Sequence, residues 1–419
     1  MSLRADLAPL RIPAFRTYWT GQMVSSLGDG MVPVVTAFTV LGTGTGAGGL
    51  GLVLATGMAC RVLAALLGGV TADRTSRRGQ MALADTVRCA VQASLGLLVA
   101  TGHDSAALLA VGNGVYGIAA GFYGPASQGL VPALVDKASL QKAAGLQSLT
   151  RSTAMIAGPA VAGLLIPWAG KEVVYFIDAA SFAVNIVMLL RLPVLTVAAR
   201  TGRTFAADLR RGWHEVVGRR WLILNLLAHA AWNFAMAAFF VLGPVLAERH
   251  LGGSAAWGLV AAGMSVGSFA AGALAIRWHP RRPLVAGNLA LTLAALPLLA
   301  LWSGVPAPVV ALAAAASNGG VVLLNSVWSA TLQRVIPDEV LSRVSSYDTL
   351  LSLVSMPLGY ALVGPVARRV GDGHTLLIAA AFAVVPCSLV CLAPTVRRLT
   401  RPEPAPEASD TAADLPASA

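Results

Sequence analysis

The stretch Gly68-Gly69-Val70-Thr71-Ala72-Asp73-Arg74-Thr75-Ser76-Arg77-Arg78 lies between two long apolar segments. Glycines let two membrane helices approach closely, and arginines hold a connection on the cytoplasmic side of a membrane. We call this stretch, residues 68–78, the corner. A core helix of a water-soluble protein has no physical reason to end in a turn of this composition. The stretch therefore predicts a hairpin of two membrane-spanning helices that turns on the cytoplasmic side.

The composition of the whole chain agrees with this prediction. Of its 419 residues, 56% are hydrophobic and only 12% are charged, whereas soluble domains average about 25% charged residues. The net charge of +11 is the one feature that suggests a nucleic-acid partner. Because the basic residues lie in short clusters between apolar runs, they are better explained by orientation in a membrane. We expect a lipid bilayer, and no nucleic acid, as the partner.

Apolar runs of about 20 residues, which is the length that crosses about 30 Å of hydrocarbon, recur along the chain. We predict an all-α protein of about twelve spans, centred on residues 15–41, 49–70, 80–101, 105–129, 140–167, 173–191, 221–247, 254–276, 284–303, 307–331, 343–366 and 374–393. The predicted domains are a six-helix bundle at 1–191, a linker at 192–220, a second six-helix bundle at 221–393 and a disordered tail at 394–419.

Lysine and arginine predict the orientation of these spans. With a cytoplasmic N-terminus, 23 of these residues fall on the inner side and only four on the outer side. Because the cytoplasmic loops of membrane proteins are rich in basic residues, we expect both termini and the central loop to be cytoplasmic. The predicted location is the bacterial plasma membrane.

The second half of the chain repeats features of the first. Asn113-Gly114, followed by Gln128 and Pro132, recurs as Asn318-Gly319, followed by Gln333 and Pro337, at a shift of 205 residues. The corner recurs at a shift of 204, with Gly272, Arg281 and Arg282 for Gly68, Arg77 and Arg78. The repeat predicts two pseudo-symmetric halves with a substrate site between them, near the midplane of the membrane.

The corner resembles the signature loop of major facilitator superfamily transporters, G-x-x-x-D-R-x-x-R-R. Further segments are similar to the drug:proton antiporter branch that contains enterobactin exporters and macrolide efflux pumps. These segments are Ala14-Phe15-Arg16, Ser25–Asp29, Asp85-x-x-Arg88, Leu149-Thr150-Arg151 leading into Gly158–Gly163, and Pro337–Val344. The resemblance implies the major facilitator fold and covers the chain up to its tail.

The resemblance also implies roles for particular residues. The corner becomes a gating loop of Gly69, Asp73, Arg74, Arg77 and Arg78, in which Asp73 would latch the cytoplasmic side by approaching a helix N-terminus of the second half. If the arginines only fix topology, Asp73→Asn would leave transport unchanged. Gly158, Pro159 and Gly163 resemble an antiporter kink, which implies export in exchange for protons; an ordinary helix kink is the alternative.

Charges inside spans are expected to matter, because each costs about 2.5–3.5 kcal/mol at a helix centre and therefore pairs or faces water. Asp29 lies near the middle of the first span and is interpreted either as a cavity-facing site for a proton or cation, or as a structural cap or pair. Arg151 is interpreted as holding an anionic substrate or as forming an ion pair. Asp178 lies near the end of a span, where access to water reduces the cost of a charge, and is a further candidate for carrying a proton.

The remaining intramembrane charges are assigned to a structural network. Asp85 and Arg88 are three residues apart and share a helix face, so they can pair; they serve the inner gate or carry protons. Arg61 requires a partner that the sequence does not identify, and Asp348 lies near the end of a span. His229 is the only histidine inside a span, and acts either as a pH switch or as a hydrogen-bonded structural residue.

Together these features predict a secondary transporter, not an enzyme. The expected function is proton-coupled efflux of a lipophilic small molecule such as a drug, a macrolide or a siderophore-like compound by alternating access. The alternatives are proton-driven uptake and a sensor or assembly protein on the same scaffold. No nucleotide-binding loop, metal cluster or catalytic cluster is evident in the sequence, so we expect no cofactor. The partners are the small molecule and protons, and we expect a monomer.

Overall fold

The structure, a computed structural model, describes residues 8–72, 75–136, 139–193, 216–336 and 338–400. Its long helices follow one another in the order α1 Pro13–Gly42, α2 Gly46–Ala72, α3 Arg77–Ala100, α4 Ala106–Leu134, α5 Leu140–Ala169, α6 Lys171–Leu190, α7 Arg220–Leu246, α8 Gly253–Ala275, α9 Pro283–Ser303, α10 Ala307–Val335, α11 Asp338–Val370 and α12 Asp372–Leu392. Within the described ranges, eleven of these are long and apolar enough to cross a membrane; α11 is the other long helix. The all-α fold of about twelve spans is confirmed.

Local sequence explains where the helices begin and turn. Ser76 and Ser105 cap α3 and α4, because each hydroxyl accepts a hydrogen bond from a backbone N–H of the first turn. Gly170 separates α5 from α6 with a φ of 90°, and Gly371 separates α11 from α12 with a φ of 86°. Only glycine adopts this backbone without strain, so the same connection is built into both halves.

The outer surface of the helices is apolar. Leucines such as Leu63, Leu164 and Leu312 are more than 60% exposed, which in water would be an unusually large apolar surface. Trp168 at the end of α5 and Trp302 at the end of α9 are exposed near helix termini. Tryptophan is enriched at membrane–water interfaces. The surface therefore matches a protein surrounded by lipid.

Helices α1–α6 form one bundle and α7–α12 form the other, as the predicted repeat requires. The bundles join at the end that carries the α1–α2 connection, which we call the far end. There α2 crosses α11, where a Cβ on Gly364 would lie 2.5 Å from Gly48 Cα, and α5 crosses α8, where a Cβ on Gly163 would lie 3.1 Å from Gly258 Cα. These two crossings, Gly48–Gly364 and Gly163–Gly258, are called the far-end seals.

The opposite end, where the described chain begins and ends, is called the near end. One apolar core joins both bundles toward the far end and includes Val35, Leu50, Phe239 and Trp257. Toward the near end each bundle has its own core, around Phe15 in the first and around Leu222 in the second. A Cβ added at Gly145 or Gly272 would meet no described atom within 4 Å. Among the described residues, the bundles therefore cross closely at the far end and have separate cores at the near end.

After α12 the described chain continues into a short helix, Pro394–Arg397, in the stretch predicted as a disordered tail. Val396 of this helix is fully buried, and the Arg397 guanidinium donates to the Cys391 carbonyl. The first residues of the tail therefore pack against the second bundle. Most of the predicted linker (194–215) and the end of the tail (401–419) lie outside the described residues.

Candidate functional site: a buried charge cluster in the first bundle

Arg88 is the centre of a polar cluster inside the first bundle. From the middle of α3, its guanidinium pairs with Asp29 of α1 and with Asp85 one turn earlier on α3, the second contact being 3.0 Å. The Tyr116 hydroxyl of α4 donates to the Asp29 carboxylate. We call Asp29, Asp85, Arg88 and Tyr116 the Arg88 cluster. It joins three helices by charge-assisted hydrogen bonds, which are about twice as strong as neutral ones.

The cluster differs in exposure from one member to the next. Asp85 is fully buried and the Arg88 side chain is only 5% exposed, but the Asp29 side chain is 36% exposed. The Arg88 guanidinium also lies over aromatic faces, the nearest being Phe182 of α6 at 4.0 Å from the ring centroid. Such stacking compensates for part of the lost hydration of the cation. Asp29 is therefore the member of the cluster that water or a solute can reach.

A second layer of polar side chains holds Asp85 in place. Asn185 of α6 donates to the free oxygen of Asp85 at 2.6 Å, and its amide nitrogen also lies 3.1 Å from the Tyr123 hydroxyl. Gln22 of α1 in turn donates to Tyr123. The Asp85 carboxylate thus has a partner on each oxygen, which is what a buried charge requires.

Asp178 of α6 lies next to this cluster but outside its ion pairs. The Gln92 side chain of α3 donates to Asp178 Oδ2 at 2.5 Å, and both residues are fully buried. Gly28 of α1 covers the carboxyl so closely that a Cβ there would lie 2.3 Å from Oδ1. Asp178 therefore sits at the junction of α1, α3 and α6 with neutral hydrogen-bond partners.

The arginines of the corner also hold helices together by hydrogen bonds to backbone carbonyls. Arg77 donates to the Gly129 carbonyl of α4 at 2.5 Å, and Arg78 donates to the Leu190 carbonyl at 2.7 Å and to that of Leu192. The Arg78 cation thus satisfies the free carbonyls at the C-terminal end of α6, where the helix dipole favours positive charge. Gly69 lies in the last turn of α2, whereas Asp73 and Arg74 lie outside the described residues, so the latch stays a prediction.

The three residues of the predicted kink lie at helix crossings. Gly158 faces Gly30 of α1, where an added Cβ would lie 2.5 Å from the Gly30 carbonyl carbon. Pro159 presents its carbonyl to Gly258 of α8, and Gly163 forms one of the far-end seals. Helix α5 thus packs against the residue next to Asp29 on one side and against the second bundle on the other.

The structure does not bring every predicted residue into this site. Arg61 on α2 and Arg151 on α5 are exposed, and neither has an ion-pair partner among the described residues. His229 is buried in the second bundle, edge-on to Trp328 at 5.1 Å between ring centroids. Asp348 lies on α11 where the side chains are outside the described residues.

Several residues of the site were not predicted: Gln92, Tyr116, Tyr123, Ser181 and Asn185. A signal for some of them exists in the sequence. Positions 85, 88 and 92 share one face of a helix, as do 178, 181 and 185. Two polar stripes on otherwise apolar spans therefore indicate which faces of α3 and α6 meet. Over the described ranges, no group of three or more His, Cys, Asp or Glu side chains is arranged to hold a metal ion.

Comparison with known families now places the scaffold. The family model described as "Transmembrane secretion effector" matches residues 4–412. This chain belongs to that family of major facilitator transporters. Membership confirms the superfamily predicted from the signature corner and shows that the protein is a membrane transporter and not an enzyme.

Two relatives of this transporter are named as efflux proteins. Multidrug efflux pump Tap of Mycobacterium tuberculosis is 27% identical over 407 residues, covering 93% of this chain and 95% of the pump. Macrolide efflux protein A of Streptococcus pyogenes is 23% identical over 401 residues, covering 90% of this chain and 95% of that protein. Both relatives therefore align along nearly their whole length.

Solved structures confirm the fold of this transporter. A bacterial homolog of the human lysosomal transporter Spinster, in an inward-facing and unoccupied conformation, matches with a TM-score of 0.73 at 15% identity, over 95% of this chain and 99% of the other. A POT family transporter in complex with a thioalcohol-conjugated peptide matches with a TM-score of 0.71 at 11% identity, over 91% and 95%. At these identities the likeness concerns the fold alone.

Proposed function

We propose that this transporter exports a lipophilic small molecule in exchange for protons by alternating access. The observation that carries the proposal is the Arg88 cluster, in which one carboxylate, that of Asp29, is both ion-paired and partly exposed. A charge inside the membrane is expensive and is retained where it binds or moves something. We further propose that the protein acts as a monomer in the bacterial plasma membrane.

The distribution of basic residues supports an orientation for the structure. Under the positive-inside rule, the near end, with both termini and the corner at Arg77 and Arg78, faces the cytoplasm. The far-end seals then close the path to the outside while the two bundles are separate toward the cytoplasm. In this orientation the conformation is the inward-open state, which is the state that receives a substrate for export.

Asp29 is the proposed contact for the substrate. Its carboxylate is shared with Arg88 and Tyr116 and remains partly exposed, so a cationic group that enters between the bundles can compete with Arg88 for it. In a medium of low dielectric constant such an exchange of partners involves a large electrostatic energy on both sides. Binding energy at Asp29 is therefore available to rearrange α1 and α3.

Helix α5 supports a mechanical link from Asp29 to the far-end seals. Gly30, the neighbour of Asp29, packs against Gly158, while Pro159 and Gly163 pack against Gly258 of α8. A shift of α1 relative to α5 at Gly30 therefore acts on the same helix that seals the far end. This packing suits a scaffold in which two discrete arrangements of the bundles alternate.

The relatives support export over uptake. Multidrug efflux pump Tap and Macrolide efflux protein A are named for efflux, and they align over 93% and 90% of this chain. We propose that the substrates of this chain belong to the same broad class of lipophilic drug-like compounds. Proton-driven uptake is the competing hypothesis and predicts the opposite response to a pH gradient.

The proposal is tested by accumulation of labelled compounds, including a macrolide, in cells with and without the transporter. We expect lower accumulation with the transporter and loss of the difference when a protonophore is added. Asp29→Asn should abolish most of the difference, because it removes the proposed contact. Asp104→Asn, in the connection between α3 and α4, is the matched control and should export normally.

Proteoliposomes decide the direction. Antiport requires that the substrate moves in the direction opposite to the proton flux. Reversal of the pH gradient must then reverse the direction of substrate movement. Co-transport of substrate and protons in one direction would contradict antiport. Full activity of Asp29→Asn on every compound would contradict the role of the cluster.

A further inference from the structure

Charge balance in the first bundle is unequal. Three carboxyl groups, of Asp29, Asp85 and Asp178, surround a single guanidinium, that of Arg88. Asp85 and Asp178 are fully buried. An unpaired ion in such a place is strongly destabilising, and a buried acid avoids this by taking up a proton. Because Arg88 is already paired with Asp29 and Asp85, the structure leaves Asp178 as the carboxyl without an ionic partner.

The hydrogen bonds to Asp178 come from neutral groups. The Ser181 hydroxyl donates to the Asp178 main-chain carbonyl at 2.7 Å, and its contact with Asp178 Oδ1 is longer, at 3.4 Å. Because a hydroxyl carries a single hydrogen, the shorter bond leaves Oδ1 with a weak donor. Asp178 Oδ2 accepts from the neutral Gln92 side chain. No described hydrogen bond to the Asp178 carboxyl therefore comes from a charged donor.

The groups around Asp178 on each neighbouring helix are consistent with this assignment. Its titratable and charged neighbours are Asp29 on α1, Arg88 and Cys89 on α3, Tyr116 on α4 and Tyr175 on its own helix. Among the described interactions of Asp178, α5 contributes no titratable group. Arg88 is thus the one described cation near Asp178, and it is held by the two other carboxylates.

We propose that Asp178 carries the exchanged proton and is the neutral acid in the inward-open conformation. This inference rests on the proposed proton-coupled export and names the residue that performs the coupling. It also indicates the substrate class, which is a lipophilic cation, because the charge of the site must be conserved during the exchange.

The exchange balances as follows in charge and atoms. Before the substrate binds, Arg88 and the two ionised carboxylates of Asp29 and Asp85 carry a net charge of −1, and Asp178 is neutral. A cationic substrate then pairs with Asp29 and releases Arg88 toward Asp178. The O–H bond of Asp178 breaks, its electron pair stays on the carboxylate beside Arg88, and the proton passes to water on the cytoplasmic side. The site, with its substrate, again carries −1.

Gly28 provides a path for this coupling. It lies beside Asp29 in α1, and its backbone covers Asp178 Oδ1. Movement of Asp29 with a substrate therefore also moves the group that shields Asp178. Because Gly28 has no side chain, it leaves space beside the Asp178 carboxyl for Arg88 to approach.

The first test does not depend on transport. Infrared spectroscopy of the purified transporter at neutral pH should show the C=O stretch of a protonated carboxyl group. Asp178→Asn should remove this band, while the control Asp104→Asn, in the connection between α3 and α4, should retain it. A band that survives in Asp178→Asn, or that disappears in Asp104→Asn, would overturn the assignment.

The second test uses proteoliposomes that exchange a lipophilic cation for protons. If one proton is exchanged per cation, a pH difference of about one unit sustains about a ten-fold substrate gradient in the wild type. Asp178→Asn mimics the neutral acid, so it should still equilibrate substrate down its own gradient but should sustain none against it. Retained pH-driven accumulation in Asp178→Asn would overturn the proposal.

Failure of this inference is distinguishable from failure of the proposed function. A wild type that moves no compound under any gradient contradicts the export function, and with it the exchange of a proton for the substrate. An active exporter whose infrared band persists in Asp178→Asn contradicts the Asp178 assignment alone. Should Asp178→Asn not fold, Gln92→Leu replaces it: the band must shift in frequency when its donor is removed, and an unshifted band overturns the assignment.

Discussion

The two bundles share one scaffold but differ in what they bury. In α3 and α9, a shift of 203 residues aligns the buried positions Met81 with Leu284 and Leu95 with Leu298. In α6 and α12, a shift of 201 aligns Tyr175 with Leu376 and Phe182 with Ala383. The helices therefore present equivalent faces to the interiors of their bundles, and the side chains at the remaining positions can be compared directly.

At those positions the second bundle is neutral wherever the first is charged. Asp85 corresponds to Asn288, Arg88 to Leu291 and Asp178 to Ala379, while the repeat itself aligns Asp29 with Asn233. The second bundle packs with none of these charges. Among the side chains that the structure describes, the second bundle thus has no counterpart of the Arg88 cluster, and the cost of that cluster is best explained by a role in transport.

The polar residues of the second bundle are arranged differently. The Asn288 amide donates to the Asn225 side chain at 2.7 Å, and the Asn233 amide donates to the His229 carbonyl of its own helix at 2.9 Å. These are neutral hydrogen bonds, each worth about 0.5–1.5 kcal/mol. The proposed electrostatic coupling therefore belongs to the first bundle, and the second bundle offers neutral hydrogen bonds at the equivalent positions.

The largest effect is expected from Arg88→Gln. Removal of the guanidinium leaves two carboxylates in the bundle without a cation, and breaking a buried pair in this way costs about 3–5 kcal/mol. We expect a large decrease of the thermal unfolding temperature in detergent and loss of export. Asp85→Asn in the same chain should recover part of the stability, because one of the unpaired charges is removed.

The control for this variant is a surface ion pair of the second bundle. Arg249 pairs with Asp372 at 2.9 Å, and its side chain is 55% exposed. Exposed pairs contribute about 0–1 kcal/mol, so Arg249→Gln should unfold within a few degrees of the wild type. Equal losses in Arg88→Gln and Arg249→Gln would contradict the special cost of the Arg88 cluster.

The next effect tests whether the second bundle tolerates the charge that the first bundle holds. Asn288→Asp places a carboxylate at the position equivalent to Asp85, but the equivalent of Arg88 is Leu291, so among the described residues it meets no arginine and only the imidazole of His229. We expect a loss of about 3 kcal/mol or more when the new group is ionised. The thermal unfolding temperature of Asn288→Asp should rise as the pH falls, because protonation removes the unpaired charge.

A combined variant sharpens this test. Leu291→Arg together with Asn288→Asp copies the Asp85–Arg88 pair into the second bundle and should be more stable than Asn288→Asp alone. Stability of Asn288→Asp that does not change with pH would show that the second bundle can hydrate a charge. The contrast between the bundles would then be weaker than their side chains suggest.

The far-end seals are contacts to which the two bundles contribute alike, because each seal joins a glycine of one bundle to a glycine of the other. A Cβ on Gly364 would lie 2.5 Å from Gly48 Cα, and a Cβ on Gly163 would lie 2.7 Å from the Ser254 carbonyl oxygen. Gly364→Ala and Gly163→Ala should each push the bundles apart at the far end, at a cost of about 1–3 kcal/mol for overpacking. Labelling of a cysteine placed near the seal should rise in both variants.

Gly272→Ala is the matched control, since an added Cβ at Gly272 of α8 meets no described atom within 4 Å. Its labelling should equal that of the wild type. A change in Gly364→Ala with none in Gly163→Ala would show that the two seals are not equivalent, and the contrast between the bundles would extend from charge to packing.

How far the sequence predicts this molecule depends on the range of the interaction. The Asp85–Arg88 pair follows from a spacing of three residues on one helix. The Asp29–Arg88 pair joins residues 59 positions apart, and no local pattern indicates which helices will meet. For the same reason Arg61 and Arg151 were assigned partners or substrates that the described structure does not bring to them. The fold was predictable because apolar length and the positive-inside bias do not depend on such contacts.

Asp178 shows the same limit in another form. Its place near the end of a predicted span suggested partial access to water, yet the structure buries it completely against α1 and α3. The rotation of α6 about its axis determines this burial, and the polar stripe of 178, 181 and 185 was the available signal for that rotation. Span prediction alone does not use the phase of polar residues around a helix.

The smallest effect is expected from His229→Phe, and it separates the two hypotheses for this histidine. The imidazole is edge-on to Trp328 and lies beside the Asn288 side chain, and its Nε2 meets the geometric criteria for a hydrogen bond with none of the described residues. Phenylalanine preserves the edge-on aromatic contact and removes an unsatisfied nitrogen, so the unfolding temperature should change little. Export should keep its dependence on pH, because the proposed coupling resides in the first bundle. A shifted pH profile in His229→Phe would place a titrating group of the transport cycle in the second bundle. It would contradict the proposal that proton coupling resides in the first bundle alone.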